Sequence, residues 1–304
     1  MTVQSLYWAK DIIGNIYHNA SKNAREHINE LETVRAMFED EQSRLEYVRE
    51  ITFKILTVAT GNDRMSNSMC GGINLAEYER EILETKQQSV YAKFPAKTGA
   101  EELALGDSLT SVFKREQYKG GNAVPKKGDV IFDCGACMGE TALWFAQFKP
   151  MRIFSFETDE RNKEVLQHII KQEKLPCEIV PKVVGLSTGE AWFSSKPDRV
   201  GQGKVIMKET DGAVKVPMVS IDDFASEKGI VPNFIKMDIE GSEYDALRGA
   251  ERVIREHRPR LAIALYHIFD DMWRIPMLLK SFVPEYRFWC RKNHPYTEFD
   301  MYAE

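Results

Sequence analysis

Residues 130–148 read VIFDCGACMGETALWFAQF, and this stretch decides the fold. An apolar run ends at Asp133, Gly135 and Gly139 follow, and a helical apolar pattern begins near Glu140. Glycine lacks a Cβ, so it allows a tight turn after a strand and a close approach of backbone to a ligand. The order of strand, glycine turn and helix predicts a βα unit with Asp133 at the carboxyl end of its strand. Taken alone, the glycine pair is equally compatible with packing and with ligand binding.

After this stretch, short apolar runs alternate with helical segments along the chain. The runs RIFSF, FIKM and RLAIA are each followed by an amphipathic segment, and this alternation indicates βαβ units in a mostly parallel sheet. Residues 178–217 have a β-like pattern without helices. Two strand-like pieces near the end, YRFWCRK and TEFDMYA, predict a hairpin that adds antiparallel edge strands. We therefore predict a Rossmann-like α/β sheet, mostly parallel, with an antiparallel C-terminal hairpin.

The first part of the chain has a different pattern. Apolar residues recur there at helical spacing in stripes that begin at Ile28, Leu45 and Leu75. Gly61 is suited to end the second of these helices, because glycine readily takes the left-handed conformation. We predict an N-terminal helical region over residues 1–95 and a sheet domain over residues 96–304. The helices are expected to cap a substrate pocket, to mediate a homodimer, or to pack on the sheet.

Composition excludes several classes of protein. The chain has 304 residues and a formal net charge of −5, and it contains no long run of Lys and Arg, so we expect no nucleic-acid partner. No segment has the apolar length of a membrane span, and the N-terminus lacks the pattern of a signal peptide. The five cysteines are then expected to be reduced thiols. These features predict a cytoplasmic protein with no membrane association.

An acidic residue at the end of the second strand points to a nucleoside cofactor. The stretch RIFSFETD places Glu157 one βαβ unit after Asp133, where a carboxylate can accept hydrogen bonds from both ribose hydroxyls of an adenosine. Thr158 is expected beside the same cofactor, although Thr158 or Asp159 also suits the cap of the next helix. This pair of acids does not separate NAD from S-adenosylmethionine.

The detail of the glycine loop separates the two cofactors. A dinucleotide loop needs G-x-G-x-x-G to hold a pyrophosphate, whereas Cys137 occupies the middle glycine place in DCGACMG. The loop therefore favours S-adenosylmethionine, and an NAD-dependent oxidoreductase remains the alternative. Cys134 and Cys137 also form a C-x-x-C pair, which is a redox signature. Ordinary buried thiols are the simpler interpretation, because no second close cysteine pair could complete a metal site.

Several later motifs agree with a known family. The stretch IKMDIEGSE, followed by LRGA and RPRLAI, resembles the hallmark of the FkbM family of S-adenosylmethionine-dependent methyltransferases. FDCGACMGET and SFETD are similar to that family's cofactor motifs, PMVSIDDF resembles the strand before an aspartate-started helix, and ALYH with DMWRIP resembles one branch. The resemblance covers about residues 117–304. The cysteine pair is a departure from the family pattern.

The resemblance implies a class I methyltransferase that binds S-adenosylmethionine through residues 96–304. Its acceptor would be a hydroxyl or amide group of a sugar, natural product or peptide. The expected cofactor contacts are Asp133, Gly135, Ala136, Gly139, Glu140, Thr141, Glu157, Thr158 and Asp238. Asp238 would lie near the transferring methyl group. A non-catalytic binding protein that kept the fold is the alternative of a different class.

Three residues at predicted strand ends are candidates for catalysis: Asp238, Glu240 and His267. An alcohol or amide acceptor has to lose a proton, so a positioned base is needed. Asp238 could instead stabilise the cationic sulfonium, which we favour slightly, and His267 is equally suited to the pocket wall. Glu243, just inside the next helix, is explained by the helix dipole. Asp238, Glu240 and Asp270 offer oxygen ligands for Mg²⁺, but we predict no metal because the sequence shows no coordination geometry.

Overall fold

The elements of the fold follow from a computed structural model, which describes residues 20–95, 99–196, 199–206, 208–210 and 212–304. The helices before the first strand are α1 (Ala20–Glu26), α2 (Ile28–Met37), α3 (Glu41–Thr60), α4 (Asp63–Met69), α5 (Leu75–Lys86), α6 (Ser89–Ala92) and α7 (Gly99–Leu109), which continues as a π-helical turn over Thr110–Lys114. The remaining elements are β1 (Val130–Cys134), α8 (Glu140–Ala146), β2 (Arg152–Phe156), α9 (Glu160–Glu173), β3 (Cys177–Val180), β4 (Val183–Val184), β5 (Gly189–Lys196), β6 (Arg199–Ile206), β7 (Val214–Val219), α10 (Ile221–Lys228), β8 (Phe234–Met237), α11 (Glu243–Arg248), α12 (Glu251–His257), β9 (Arg260–Ala264), α13 (Asp271–Phe282), β10 (Phe288–Lys292) and β11 (Phe299–Ala303).

A seven-stranded sheet organises these elements in the order β10-β11-β9-β8-β1-β2-β3. Strands β9, β8, β1, β2 and β3 pair in parallel, and β11 runs antiparallel to both β9 and β10. The predicted Rossmann-like sheet with a C-terminal hairpin is confirmed. The hairpin joins the sheet through β11, which pairs with β9, so that β10 is the edge strand. Every residue of β11 is buried, as an interior strand requires.

Both faces of the sheet are covered by apolar packing. Alternate residues of β1 point to opposite sides: Phe132 joins a large core with Phe154 and Ile235, whereas Ile131 packs with Ile153 and other side chains on the opposite face. This double burial explains why β1 and its neighbours have continuous apolar sequences instead of alternating ones. It also leaves the carboxyl ends of the strands as the open edge at which polar residues collect.

The helix α3 covers the edge strand β10 with its polar face. The backbone N–H of Cys290 donates to Ser43 Oγ at 3.1 Å, and that of Lys292 donates to Glu46 Oε2 at 2.6 Å. Side chains of α3 thus pair the free backbone edge of β10, which would otherwise be open to another strand. The predicted helix is confirmed, but only part of its predicted apolar stripe faces the core: Ile55 packs against it, whereas Leu45 is 50% and Val48 42% exposed.

The N-terminal helices share the core of the sheet. Leu31 and Val34 of α2 are buried in the same cluster as the side chains of β1. Gly61 ends α3 in the left-handed conformation with φ 62°, as predicted. The predicted domain boundary falls between residues 95 and 96. Residues 96–98 lie outside the described residues, as do residues 1–19. The division into 1–95 and 96–304 stays a prediction. Among the described residues, no helix combines the length and apolar character that crossing a bilayer requires.

A second, four-stranded sheet occupies the region that was predicted to be β-like without helices. Its order is β4-β7-β5-β6, with β5 antiparallel to β6 and to β7. It begins directly after β3, and α10 returns the chain from β7 to the main sheet. The small sheet therefore lies close to the carboxyl ends of β2 and β3.

Candidate active site

The loop after β1 turns against the backbone that follows β8. Gly135 has φ 84°, and a Cβ built on it would lie 1.9 Å from the carbonyl oxygen of Asp238. The backbone N–H groups of Gly135 and Ala136 both donate to the carbonyl of Phe156 at the end of β2. The glycine is thus required because three strand ends meet here with no space for a side chain. The residues at the carboxyl ends of β1, β2 and β8 are therefore close together around this loop.

Asp133 lies beneath this loop in a closed set of contacts. Its carboxylate accepts hydrogen bonds from Thr141 Oγ1 at 2.7 Å and Ser155 Oγ at 3.2 Å, and Lys236 Nζ lies 3.5 Å away. Asp133 and Lys236 are 0% and 1% exposed. Lys236 also donates to the carbonyls of Cys134 and Gly135. The described partners of Asp133 are groups of the protein, so its predicted contact with a cofactor stays a prediction.

Glu157 lies at the end of β2 as predicted, with one oxygen already held. Its Oε1 accepts hydrogen bonds from the backbone N–H of Thr158 at 2.7 Å and of Asp159 at 2.8 Å. Burial raises the pKa of Glu157 to about 7, although these hydrogen bonds oppose the shift. Asp159, not Thr158, caps α9 by accepting from Arg161 N. The other oxygen of Glu157, Oε2, accepts a long hydrogen bond from Asn162 Nδ2 at 3.4 Å, and both residues line the cleft described next.

An open cleft of about 600 Å³ extends from the glycine loop along Glu157. Polar groups from the strand ends line one side, and Phe193 and Val205 of the small sheet line another. A cleft of this size with an apolar wall and a few convergent polar groups is typical of a small-molecule site. The carboxylate at the end of β2 suits a ribose, and the apolar wall suits a purine ring. The residues present therefore fit the adenosine part of S-adenosylmethionine.

Asp238 is held at the end of β8 by two phenols. Tyr118 donates to its Oδ2 and Tyr266 donates to its Oδ1, both at 3.0 Å. Burial, followed by the charge of Asp238, raises the pKa of each tyrosine well above the usual value. Both hydroxyls therefore remain protonated donors that orient the carboxylate. The arrangement can stabilise a positive charge in front of Asp238.

His267 lies among carboxylates at the end of the segment after β9. Its Nδ1 is 2.9 Å from Glu243 Oε1, and its Nε2 is 3.5 Å from Asp238 and 3.6 Å from Glu240. Burial alone would lower the pKa of His267, but Glu243 and Glu240 raise it well above its usual value. Burial also raises the pKa of Glu240. At neutral pH the imidazole is therefore a cation that balances part of this acidic cluster.

One group of side chains has the spacing of metal ligands. Ligand atoms of Asp238, Glu243 and His267 lie within 4.8 Å of one another. This set differs from the set with Asp270 considered from the sequence, because Asp270 accepts a hydrogen bond from Asn23 at 2.7 Å. The expectation of no metal stays a prediction.

A second cavity, here called the chamber, opens on the other side of Asp238 and has a volume of about 960 Å³. The chamber and the cleft share Gly135, Cys137, Asp238 and Glu240 in their walls. His267, Glu140 and Thr141 line the chamber only. A molecule in the cleft can thus reach into the chamber past Asp238. This geometry brings together most of the predicted site residues, but Ala136 and Gly139 support the loop from behind the walls.

Several residues of the site were not singled out from the sequence. Tyr118 and Ser108 precede the sheet, and Ser108 donates to Glu140 Oε1 at 2.8 Å; no sequence pattern marks either of them. Lys236 did carry a signal, because a lysine inside a buried four-residue strand needs an anionic partner. Tyr266 is adjacent to His267, and its role follows only from the hydrogen bond to Asp238.

The parallel sheet, the glycine bend after β1 and the carboxylate after β2 define a Rossmann-like α/β protein with a nucleoside-type cleft. The family model described as "Methyltransferase FkbM domain" matches residues 133–294. The chain belongs to the FkbM methyltransferase family, as the sequence motifs predicted.

The proteins similar to this chain include one of known structure and one of named function. A crystal structure of methyltransferase FkbM from Methylobacillus flagellatus superposes with a TM-score of 0.61 at 20% identity, over 93% of this chain and 60% of that one. The hexuronic acid methyltransferase AglP of Haloferax volcanii is 25% identical over 132 residues, which are 43% of this chain and 53% of AglP. The matches thus span about half to three-fifths of these relatives.

Proposed function

We propose that the protein transfers a methyl group from S-adenosylmethionine to a hydroxyl group of a sugar. The observation that carries the proposal is the junction of the cleft and the chamber at Asp238. Glu157 would hold the ribose of the cofactor, and Asp238, which lines both cavities, would stabilise its sulfonium beside the chamber. Glu140, which lines the chamber, is suited to the ammonium of the cofactor's methionine part. When bound, S-adenosylmethionine supplies an activated methyl group and its own leaving group.

The residues of the chain provide alignment and charge. Asp238, oriented by Tyr118 and Tyr266, stabilises the positive sulfonium and limits its movement in the cleft. The apolar wall formed by Phe193 and Val205 excludes water from the adenosine side. Lys236 and Asp133 support the loop from below, so that the glycine backbone keeps its position during the reaction.

A proton acceptor for the hydroxyl group is available next to His267. Glu240 lines both cavities, and burial raises its pKa, which brings the carboxylate closer to the range in which a base works well. His267 as a cation lies 3.6 Å from Glu240 and can orient it. We assign Glu240 the role of base and His267 that of a positioning residue.

Two observations support a sugar as the methyl acceptor: the side chains of the chamber and the name of one relative. The chamber contains neutral hydrogen-bonding side chains such as Ser111, Gln117 and Thr297, which suit a polyhydroxylated ligand. AglP is named a hexuronic acid methyltransferase, which supports a sugar over a peptide or another natural product. We expect a small glycan acceptor and no nucleic acid.

The proposal is tested by calorimetry and by a transfer assay. The protein should bind S-adenosylhomocysteine with micromolar affinity and should not bind NADH, while Glu157→Ala should lose most of the affinity for S-adenosylhomocysteine. Labelled S-adenosylmethionine should then label a pool of glycans, and Glu240→Gln should abolish this labelling with little change in cofactor affinity. Binding of NADH in place of S-adenosylhomocysteine would establish the oxidoreductase alternative. Cofactor binding without transfer to any glycan would favour a binding protein.

A further inference from the structure

The carboxylate of Glu243 is buried beside the site but has no role in the reaction proposed above. Glu243 is the first residue of α11 and is 0% exposed. The helix dipole explains an acidic residue at this position. It does not explain the burial, because moving a carboxylate out of water is costly unless other groups compensate for the lost hydration. The contacts of Glu243 inside the protein therefore need an explanation of their own.

One oxygen atom of Glu243 lies between two segments of the site. Its Oε1 accepts a hydrogen bond from the backbone N–H of Ile239 at 2.8 Å, and Nδ1 of His267 lies 2.9 Å from the same oxygen. Ile239 belongs to the loop after β8 that carries Asp238 and Glu240, whereas His267 follows β9. The carboxylate of Glu243 thus contacts both segments that bring the candidate catalytic residues to the site.

The loop between β8 and α11 has a backbone that needs support. Glu240 and Gly241 are both left-handed, with φ 58° and 97°, and this conformation is unfavourable for a residue with a Cβ such as Glu240. Gly241 packs on the neighbouring segment, because a Cβ built on it would lie 3.7 Å from the Cβ of His267. The hydrogen bond from Ile239 to Glu243 spans this turn and so helps to keep Glu240 opposite the imidazole.

The imidazole connects the charge of Glu243 to Glu240. Its Nδ1 is next to Glu243, and its Nε2 lies 3.6 Å from Glu240. Burial lowers the pKa of His267, and the charges of Glu243 and then Glu240 raise it. The positive ring in turn opposes the rise that burial causes in the pKa of Glu240. A cationic His267 therefore favours the ionised form of Glu240, which is the form that a base requires.

Other titratable groups also surround His267. They come from the ends of β8 and β9, from α13 and from the turn before β11: Asp238, Tyr266, Asp271 and Glu298. Burial, followed by the charge of Glu243, raises the pKa of Asp271 to about 7. The charge of Asp271 thus changes near neutral pH, and its effect on His267 has to be measured separately from that of Glu243.

We infer that Glu243 is a positioning residue, whose carboxylate fixes His267 and the loop of Glu240 relative to each other so that the imidazole contacts the base. The inference rests on the proposed function, because it concerns the base assigned there. Glu243 lines neither the cleft nor the chamber. It therefore acts through His267 and the loop and does not contact the substrate.

The first experiment follows the imidazole of His267 by NMR in the protein loaded with S-adenosylhomocysteine. The unchanged protein should keep this ring protonated up to about pH 8, since a carboxylate contacts each nitrogen. In Glu243→Gln the amide oxygen can still accept from Ile239, but the ring should lose its proton about two pH units lower. Asp271→Asn should move the titration less than half as far.

The matched control is Glu251→Gln. Glu251 is also the first residue of a helix, α12, but its side chain is 48% exposed, so this variant should leave the titration of His267 unchanged. Glu243→Asp keeps the buried charge and provides a second variant if Glu243→Gln does not fold. Its shorter side chain withdraws the carboxylate from the ring, and His267 should titrate about one pH unit lower.

The second experiment measures kcat in the assay with labelled S-adenosylmethionine and glycans. Glu243→Gln should lower kcat about tenfold and leave the affinity for S-adenosylhomocysteine within about twofold. His267→Gln should also lower kcat. Because Glu243 acts through the ring, the double variant should be no more than about twofold slower than His267→Gln alone. A residue with a merely structural role would instead add its full loss to that of His267→Gln.

Three results would overturn the inference: an unchanged titration of His267 in Glu243→Gln, an equal shift in Glu251→Gln, or losses of kcat that multiply in the double variant. The NMR titration needs no acceptor, so it tests Glu243 independently of the proposed function. If glycans are labelled but the titration does not move, the methyltransferase proposal stands and the role of Glu243 is wrong. If the titration moves but no glycan is labelled, the proposed acceptor is wrong and the contact between Glu243 and His267 is confirmed.

Discussion

The ammonium of Lys54, in the middle of α3, donates to the carbonyl oxygen of Tyr266 at 3.0 Å. This contact joins the N-terminal helices to the residue that holds Asp238 and precedes His267. Lys54 is fully buried and lies 3.4 Å from Glu50; burial lowers its pKa to about 8, although Glu50 opposes the shift. The helical region is therefore part of the support of the active site.

We expect Lys54→Met to lower the free energy of unfolding by about 2 kcal/mol, because the buried carbonyl of Tyr266 would lose its donor and Glu50 would keep Lys292 but lose Lys54. Turnover should fall, while the affinity for S-adenosylhomocysteine should change little. Lys22→Met is the control, since Lys22 forms the same type of helical pair with Glu26 but is 72% exposed. Its effect in urea denaturation should stay below about 0.5 kcal/mol. Equal effects of the two variants would contradict the role of Lys54.

Gly135→Ala should be much more harmful than Gly128→Ala. Both glycines have φ 84°, but a Cβ on Gly128 would meet no atom within 4 Å, whereas one on Gly135 would meet the carbonyl of Asp238. The left-handed backbone alone should cost about 1 kcal/mol in each variant. The collision at Gly135 should add at least about 2 kcal/mol and displace the loop. Urea denaturation measures the free energy of unfolding of both variants. Similar decreases in the two variants would show that the loop at Gly135 can move to accommodate the Cβ.

The affinity for S-adenosylhomocysteine should rise with pH because of Glu157. The pKa of this carboxyl is raised to about 7 by burial, and the ionised form accepts hydrogen bonds from both ribose hydroxyls. Between about pH 6 and pH 8 the ionised fraction increases roughly tenfold, so the affinity should rise by up to about that factor. Glu157→Gln cannot ionise and should remove this dependence. Calorimetry at several pH values measures this dependence. If the affinity of Glu157→Gln rises with pH as much as that of the unchanged protein, another group causes the pH dependence.

The phenols around Asp238 should affect turnover more than binding. Tyr118→Phe and Tyr266→Phe each remove one hydrogen bond to the carboxylate, and each should lower kcat about tenfold. Asp238→Asn should lower kcat about a hundredfold, since it removes the charge that faces the sulfonium. Tyr286→Phe is the control, because its buried hydroxyl donates to Pro259 instead. A loss of kcat in the control equal to that in Tyr118→Phe would indicate a general structural effect.

The cysteine pair should be dispensable. Burial raises the pKa of both Cys134 and Cys137, in each case well above the range of a reactive thiolate. The double variant Cys134→Ala, Cys137→Ala should therefore retain most of its methyl transfer, with a modest loss of stability from the removed sulfur atoms. Loss of turnover with an unchanged fold would revive the redox interpretation.

The sheet could be predicted because its central strands are buried on both faces. Such strands read as continuous apolar runs between turns, so β1, β2, β8 and β9 are visible in the sequence. The position of β11 was not predictable in the same way, because an apolar strand in a hairpin has the same pattern at an edge or inside. The buried face of α3 was also hidden, since polar residues such as Ser43, Glu50 and Lys54 are buried on it together with Tyr47 and Phe53.

The site was predictable where position along the chain determines position in space. Glu157, Asp238 and His267 follow three strands, and parallel strands bring their carboxyl ends to one edge. Tyr118 reaches Asp238 across 120 residues of sequence, and only the packing of the segment after α7 brings it there. The lining of the chamber likewise depends on tertiary structure, because Asp107 of α7 and Glu298, which precedes β11, are far apart in the sequence.

The cover that α3 forms over β10 has a consequence for how the molecule is made. Ser43 and Cys290 are 247 residues apart, so the helix leaves the ribosome long before the strand it protects has been synthesised. Contacts of such long range slow folding. Until β10 has been synthesised, Ser43 and Glu46 cannot form these hydrogen bonds, so α3 can cover the edge of the sheet only after the C-terminal hairpin is present.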